Sequence, residues 1–121
     1  MDRNVTKVVV DNSNSALYFS KAPIPWDRDK WGGDSIAYSS FDPLKSFWYK
    51  HIGLYAYRKK FLMGFGSLPD SGLEKIEKLE QLRILEGGFK IKVVETNIDS
   101  IGVDCEADLA IIEKHLAAVL P

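Results

Sequence analysis

The stretch VTKVVVDNSNSALYFS, residues 5–20, joins two short hydrophobic runs through a polar segment. Residues 5–11 are rich in β-branched side chains, which are typical of a strand. Residues 12–15 are all Asn or Ser, which favour turns, and residues 16–20 resume a strand-like pattern. The stretch therefore predicts a β-hairpin.

The rest of the chain alternates between helix and strand patterns. Residues 21–47 contain PIP, GG and DP, which predict an extended loop, and the aromatic residues 47–58 give the strongest strand signal. The order is completed by a short helix at 59–65, a capped helix at 71–88, a strand at 89–95 and a closing helix at 106–120. We expect one α/β domain over residues 1–121, with a mixed sheet and helices.

Composition restricts the classes of function. The net charge of −1 gives no electrostatic footprint for nucleic acid or an anionic membrane. No apolar run approaches the roughly 18–20 residues of a membrane helix, and the first ten residues lack a signal-peptide core. A single cysteine, Cys105, excludes an internal disulfide. We therefore expect a cytoplasmic protein with neither nucleic acid nor membrane as partner.

The predicted strand at 47–58 carries the first candidate site. Alternation along a strand would place Tyr49, His51 and Tyr55 on one face, with a gap at Gly53 between the last two. His51 and Tyr55 would then be about 13 Å apart, which suits two contacts to a sugar-sized ligand. Glycine within a strand often marks the close approach of a ligand. The alternative is a second core layer of buried tyrosines and one satisfied histidine.

The predicted helix at 71–88 carries the second candidate site. Ser71 is a good N-cap, and Glu74 three residues later completes a capping box. At 100° per residue, Glu80 shares its face with three aliphatic side chains, Leu73, Ile76 and Ile84. Glu80 is either a surface partner of Arg83 or a carboxylate at a pocket wall that accepts hydrogen bonds from hydroxyl groups, with Gln81 beside it.

Two further positions could hold charged groups. Arg28, in the stretch APIPWDRD, can bind a carboxylate or phosphate through two parallel hydrogen bonds, and Lys21 adds a point charge. Arg28 could equally pair with a neighbouring aspartate. Asp104 precedes the closing helix as an N-cap or as a Mg²⁺ ligand. Cys105 lies at the same helix start without a histidine near it in sequence, which disfavours a catalytic cysteine.

Four motifs carry a family resemblance: ALYFSKAPIPWDRD, HIGLYAYR, LEKIEKLEQLR and GVDCEADL. In this order and spacing, they resemble the carboxy-terminal part of the 3-deoxy-manno-octulosonate cytidylyltransferase (CMP-Kdo synthetase) family. The resemblance implies a Rossmann-like nucleotide-diphospho-sugar transferase fold and a homodimer. It also implies Mg²⁺ as cofactor, and the joining of CMP from CTP to the acidic sugar Kdo, with release of diphosphate, for lipopolysaccharide biosynthesis.

The resemblance also assigns roles to individual residues. Arg28 matches a position that meets the acidic sugar, and Lys21 stands where the family usually has arginine. The other assigned positions are His51 and Tyr55 as Kdo contacts, Glu80 and Gln81 near the sugar hydroxyls, and Asp104 as a magnesium ligand. Cys105 stands where threonine is usual. No residue is assigned as a catalytic acid or base.

The resemblance does not cover the family's amino-terminal half, which would hold the triphosphate and the cytosine. We therefore expect this chain to supply the sugar-binding and dimer-forming part, and to be inactive alone. Two alternatives stay open from the sequence. The chain could be a non-catalytic binding or assembly module, or a relative that acts on another acidic sugar.

Overall fold

The computed structural model describes residues 5–28 and 47–98 together with residues 109, 112–114 and 116–117 of a C-terminal helix. The strands are β1 (Lys7–Val10), β2 (Ala16–Ser20) and β3 (Tyr49–Lys50). The helices are α1 (Lys59–Gly64), α2 (Gly72–Glu77) and α3 (Gln81–Glu86), with a 3-10 turn at Phe65–Ser67. Asp104 and Cys105 lie outside the described residues.

The predicted hairpin at 5–20 is confirmed. β1 and β2 are antiparallel, with Val8 opposite Phe19. One carboxylate oxygen of Asp11 accepts hydrogen bonds from the amides of Ser13 and Ser15, both at 2.8 Å, and so closes the turn. Hydrogen bonds from Ser15 and Ser13 hold the pKa of Asp11 below its ordinary value.

The prediction of a strand over residues 47–58 is wrong beyond Lys50. The sheet has the order β2-β1-β3, and β3 pairs antiparallel with β1 over two residues. The amide of His51 still donates to the carbonyl of Thr6 at 2.9 Å, but two residues later Gly53 has a φ of 84°. A left-handed residue cannot continue a strand, so the chain turns away from the sheet.

The predicted helix at 71–88 is two short helices. Ser71 caps α2 as predicted, because its hydroxyl oxygen accepts a hydrogen bond from the amide of Glu74 at 2.9 Å. Lys78 has a φ of 58° and ends α2 in the left-handed conformation, three residues before α3 begins. Arg83 then pairs with Glu74 through two hydrogen bonds of 2.6 and 2.9 Å, which ties the two helices together.

The core lies between the hairpin and the two helices. Five buried side chains form it: Val8, Ala16, Phe19, Leu79 and Leu82. Leu82 and Phe19 are almost completely inaccessible to solvent. Since Leu79 lies in the break and Leu82 in α3, the start of α3 is held against β2, where the loop with Lys21 begins.

The remaining predicted elements are partly confirmed. The short helix predicted at 59–65 is α1. The strand predicted at 89–95 forms only an isolated antiparallel bridge, between Ser15 and Lys92. The described residues of the closing helix are helical. None of the helices in the described part of the chain is long and apolar enough to cross a membrane. The cytoplasmic location stays a prediction.

Candidate functional site

The loop after β2 carries the two predicted cationic residues. Its Ile24–Pro25 peptide bond is cis, and the carbonyl of Pro25 accepts a hydrogen bond from the indole of Trp48 at 2.8 Å. This hydrogen bond fixes the loop to Trp48, the residue that precedes β3. Arg28 is exposed and has helical backbone, which corrects the prediction of loop throughout 21–47 at this position. The structure does not describe residues 29–46.

The side chain of Lys21 is at the surface, but its backbone is held on both sides. A carboxylate oxygen of Glu77 accepts a hydrogen bond from the Lys21 amide at 3.3 Å. The buried ammonium group of Lys7 donates to the Lys21 carbonyl. The predicted role of Lys21 concerned its side chain, and no sequence pattern indicates this backbone arrangement.

His51 and Tyr55 lie in direct contact, which corrects the predicted separation of about 13 Å. The hydroxyl oxygen of Tyr55 is 2.8 Å from Nε2 of His51, because the turn at Gly53 folds the chain back on itself. The His51 ring packs edge-on against the buried Phe19 of β2, with ring centroids 5.1 Å apart. The first candidate site is therefore one compact polar pair, fixed to the hairpin.

This pair is uncharged at neutral pH. Burial lowers the pKa of His51, which favours neutral imidazole. Burial, and then the nearby Tyr57 and Glu80, raise the pKa of Tyr55 well above its ordinary value. Burial followed by Glu80 raises the pKa of Tyr57 as well. The negative charge of Glu80 thus contributes to both shifts, and burial contributes more.

An aromatic row continues from this pair and supports it. The rings of Tyr55 and Tyr57 are stacked with centroids 5.8 Å apart, and Tyr57 stacks on Phe61 of α1 at 5.9 Å. Phe61 in turn meets Phe89 edge-on at 5.0 Å. Such ring pairs stabilise by about 0.5–1.5 kcal/mol each beyond their burial. The row holds Tyr55 in place although residues 51–58 form no helix and only Tyr49–Lys50 of the predicted strand belong to the sheet.

The helix break changes the surroundings of Glu80. Glu80 is exposed and immediately precedes α3, while Ile76 on α2 is 81% exposed. The predicted shared face with aliphatic side chains is therefore wrong, because the left-handed Lys78 rotates α3 relative to α2. The expected ion pair of Arg83 with Glu80 is also replaced, since Arg83 binds Glu74.

Gln81, the next residue, is in an unusual state. It is only 4% exposed, yet its side-chain amide nitrogen has no hydrogen-bond partner within the described part of the chain. Buried polar groups in proteins are nearly always hydrogen-bonded, and each exception requires an explanation. A ligand that brings an acceptor to this nitrogen would provide one.

The structure thus brings His51 and Tyr55 into direct contact, and the charge of Glu80, the residue before Gln81, acts on Tyr55. Lys21 follows Phe19, on which the His51 ring packs, by two residues at the end of β2. Arg28 has no hydrogen bond or ion pair with another residue that the structure describes. Among those residues there is also no group of three or more His, Cys, Asp or Glu side chains that could hold a metal ion. The chemistry available is hydrogen bonding by neutral groups beside one carboxylate, with exposed cations on the adjacent loop.

Three contributing residues were not predicted as such: Lys7, Phe19 and Glu77. Lys7 interrupts a β-branched run, which is a weak signal for a buried lysine. Glu77 lies beside a charged residue in the predicted helix, so its pattern is that of an ordinary solvent-exposed helix residue. Their roles depend on contacts between distant parts of the chain.

Comparisons of the chain with a family model and with individual relatives point to the same family. Residues 1–92 match the family described as cytidylyltransferase. A 3-deoxy-manno-octulosonate cytidylyltransferase from Syntrophotalea carbinolica is 52% identical over 95% of this chain and 44% of its own length. One from Geobacter metallireducens is 50% identical over 92% of this chain and 43% of its own length.

A solved structure is also similar. It is a CMP:2-keto-3-deoxy-manno-octonic acid synthetase complexed with CTP, with a TM-score of 0.79 and 35% identity over 98% of this chain. This chain covers 44% of that structure, and it spans less than half the length of the relatives it matches. The similarity confirms the expected α/β nucleotidyltransferase fold. By sequence and by structure, the chain belongs to the cytidylyltransferase family.

Proposed function

We propose that this chain supplies the sugar-binding part of an enzyme that transfers CMP from CTP to Kdo, in lipopolysaccharide biosynthesis. The relatives carry the name of this activity, and the similar solved structure is a complex with CTP. The described residues contribute polar groups suited to a polyhydroxylated acid. They comprise a neutral histidine–tyrosine pair, a carboxylate whose charge acts on the tyrosine, and a buried amide next to that carboxylate in sequence.

Each residue would have a distinct role in binding. Arg28 and Lys21 would orient the sugar carboxylate, since both are cations exposed on the loop after β2. His51 and Tyr55 would hold sugar hydroxyls as neutral donors and acceptors. Glu80 would accept hydrogen bonds from further hydroxyls, as anionic acceptors bind such donors strongly.

The unpartnered amide nitrogen of Gln81 is the observation that supports this proposal most. A buried donor without a partner costs about 1–3 kcal/mol. A protein keeps such a cost where a ligand offsets it, because the group is then already desolvated and oriented. A hydroxyl of a bound sugar is an acceptor of suitable size for this position.

The reaction needs no covalent intermediate with the protein. A hydroxyl oxygen of Kdo attacks the α-phosphorus of CTP, a new P–O bond forms while the hydroxyl proton leaves to solvent, and the bond to diphosphate breaks. The residues of this chain would contribute by holding the attacking hydroxyl in a fixed orientation. When bound, Mg²⁺ would neutralise phosphate charge, and Asp104 is the residue proposed to hold it, since Mg²⁺ requires few carboxylates besides phosphate.

A homodimer is part of the same proposal. Around the turn at Gly53, Phe47 is 76% and Leu54 is 90% exposed. Large exposed apolar side chains in one region are typical of interfaces, and a second copy of the chain is the partner that the family resemblance implies.

The Gln81→Met variant tests the binding proposal. Methionine fills a similar volume without the amide. We expect Kdo affinity, measured by calorimetry, to fall about tenfold, and the free energy of unfolding to change by less than about 1 kcal/mol. Leu79→Met is the control, because it alters a neighbouring core side chain without touching the proposed site. Equal Kdo affinity of wild type and Gln81→Met, or failure of the wild-type chain to bind Kdo, would contradict the proposal.

A further inference from the structure

We propose that Glu77, the last residue of α2, is a positioning residue that fixes the backbone of Lys21 at the edge of the sugar site. Its two carboxylate oxygens bind different groups. One accepts from the hydroxyl of Ser20 at 2.7 Å, and the other accepts from the amide of Lys21 at 3.3 Å. This inference rests on the proposed function, because it assigns Lys21 a contact with the sugar acid.

A second charged residue holds Lys21 from the opposite side. The ammonium group of Lys7 donates to the carbonyl of Lys21 and, at 2.6 Å, to the carbonyl of Val5. Lys7 is 2% exposed, and a lysine is rarely buried to that extent without strong partners. Both the N–H and the C=O of Lys21 are thus bound by charged side chains. Short charge-assisted bonds are roughly twice as strong as neutral ones; of the two bonds to Lys21, the one to Glu77 is the longer, at 3.3 Å.

The hydrogen bonds that restrain the backbone extend one residue further along the chain. The hydroxyl oxygen of Ser20, which donates to Glu77, also accepts a hydrogen bond from the amide of Ala22 at 2.9 Å. Three consecutive residues at the end of β2 are therefore fixed, directly or through Ser20, to the end of α2. Ordinary strand ends require no such arrangement, since their polar groups can bind water.

The consequence is that the Lys21 backbone and the support of the neutral pair belong to one restrained stretch at the end of β2. Phe19 precedes Ser20 and carries the ring of His51, so the same stretch of β2 supports both sides of the site. The side chain of Lys21 remains at the surface. Glu77 would therefore act on the sugar through Lys21 without touching it, by restricting where the lysine ammonium can reach.

Glu86 provides a matched control at the far end of the helix pair. Its carboxylate accepts from the hydroxyl of Ser71 and from the amide of Leu73, the same two kinds of donor that Glu77 binds. None of these residues belongs to the proposed site. Glu86→Ala removes an equivalent set of hydrogen bonds and so measures the purely structural effect.

The test compares Glu77→Ala, Glu77→Gln and Glu86→Ala with wild type in the same chain. Amide hydrogen exchange at Lys21 and Ala22 reports the hold on the backbone, and calorimetric titration with Kdo reports its consequence. We expect Glu77→Ala to speed exchange at both amides at least tenfold and to weaken Kdo binding about tenfold. Glu77→Gln keeps one oxygen for Ser20, so its affinity should be intermediate. Glu86→Ala should leave both readouts unchanged.

Each outcome separates this inference from the proposed function. If wild type binds Kdo and Glu77→Ala binds it equally well, Glu77 has no positioning role. If amide exchange at Lys21 is the same in Glu77→Ala as in wild type, Glu77 does not restrain the Lys21 backbone. If Glu86→Ala weakens Kdo binding as much as Glu77→Ala does, the effect is general destabilisation and the inference is overturned. If wild type fails to bind Kdo, the proposed function falls first and the positioning role falls with it.

Discussion

The hydroxyl oxygen of Tyr55 lies 2.8 Å from Nε2 of His51, and the left-handed turn at Gly53 makes this contact possible. The ring of His51 packs edge-on against Phe19 of β2, and the ring of Tyr55 stacks on Tyr57. Three supports, one of backbone and two of packing, thus fix a single hydrogen-bonded pair. Pairs fixed in this way lose little conformational entropy when a ligand binds.

The Gly53→Ala variant tests the turn. A Cβ at this position would meet Cε1 of His51 at 3.8 Å, an ordinary contact, so the cost comes from the φ of 84°. We expect the free energy of unfolding to fall by about 1–2 kcal/mol. Gly64→Ala is the control, because a Cβ there meets nothing within 4 Å in a helical residue. It should raise stability by about 0.5–1 kcal/mol. Equal effects of both variants in urea denaturation would contradict the account of the turn.

The half-buried His51 predicts a loss of stability in mild acid. Its folded-state pKa is below its unfolded value, so between these values the unfolded chain binds a proton that the folded chain does not. The free energy of unfolding should therefore fall as pH decreases below about 6.5, the ordinary histidine pKa. The comparison of His115→Gln with His51→Gln/His115→Gln isolates the contribution of His51. Identical slopes of stability against pH in the two proteins would refute this origin.

The break between α2 and α3 predicts a stabilising substitution. Lys78 adopts a left-handed conformation that costs a non-glycine residue about 1–2 kcal/mol. Lys78→Gly should therefore raise the midpoint of thermal unfolding, whereas Lys78→Ala should change it little, because alanine has the same backbone cost. A decrease in the midpoint for Lys78→Gly would indicate a continuous helix at 71–88.

The two left-handed residues Gly53 and Lys78 also explain which parts of the fold could be predicted. The hairpin, α1 and the cap at Ser71 follow from local chemistry, since β-branched runs, turn residues and an N-cap serine act within a few positions. A glycine in an aromatic run is compatible with either a strand or a turn. A lysine within a helical pattern gives no indication of a left-handed backbone, which tertiary packing of Leu79 and Leu82 against β2 imposes.

The candidate site residues His51, Tyr55, Glu80 and Gln81 come from the motifs and stay a prediction, whereas the structure corrects the local geometry expected for them. Sequence periodicity placed Glu80 on a face with aliphatic side chains and put His51 well apart from Tyr55. Both predictions were wrong because they assumed an unbroken helix and an unbroken strand. The supports of the site, such as Glu77, depend on contacts between residues more than fifty positions apart.

The exposed apolar side chains around the turn predict self-association. We expect the chain to sediment as a dimer at micromolar concentration, and Leu54→Glu to shift it toward monomer, because burial of a charge at an interface is costly. Ile76→Glu is the control, since Ile76 is similarly exposed but lies on α2. A wild-type monomer at high concentration, or equal dissociation by both variants, would count against an interface at this turn.

The most direct test of the central claim is a titration of the ¹⁵N-labelled chain with Kdo and, separately, with CTP, followed by amide chemical shifts. The account predicts weak, saturable Kdo binding, on the order of millimolar, with shifts at His51, Tyr55 and Gln81. It also predicts that Arg28→Ala weakens these shifts and that CTP causes none, because the nucleotide contacts are expected in the part of the family that this chain does not cover. Saturable CTP binding without Kdo binding, or no response of these residues to Kdo, would contradict a sugar-binding role.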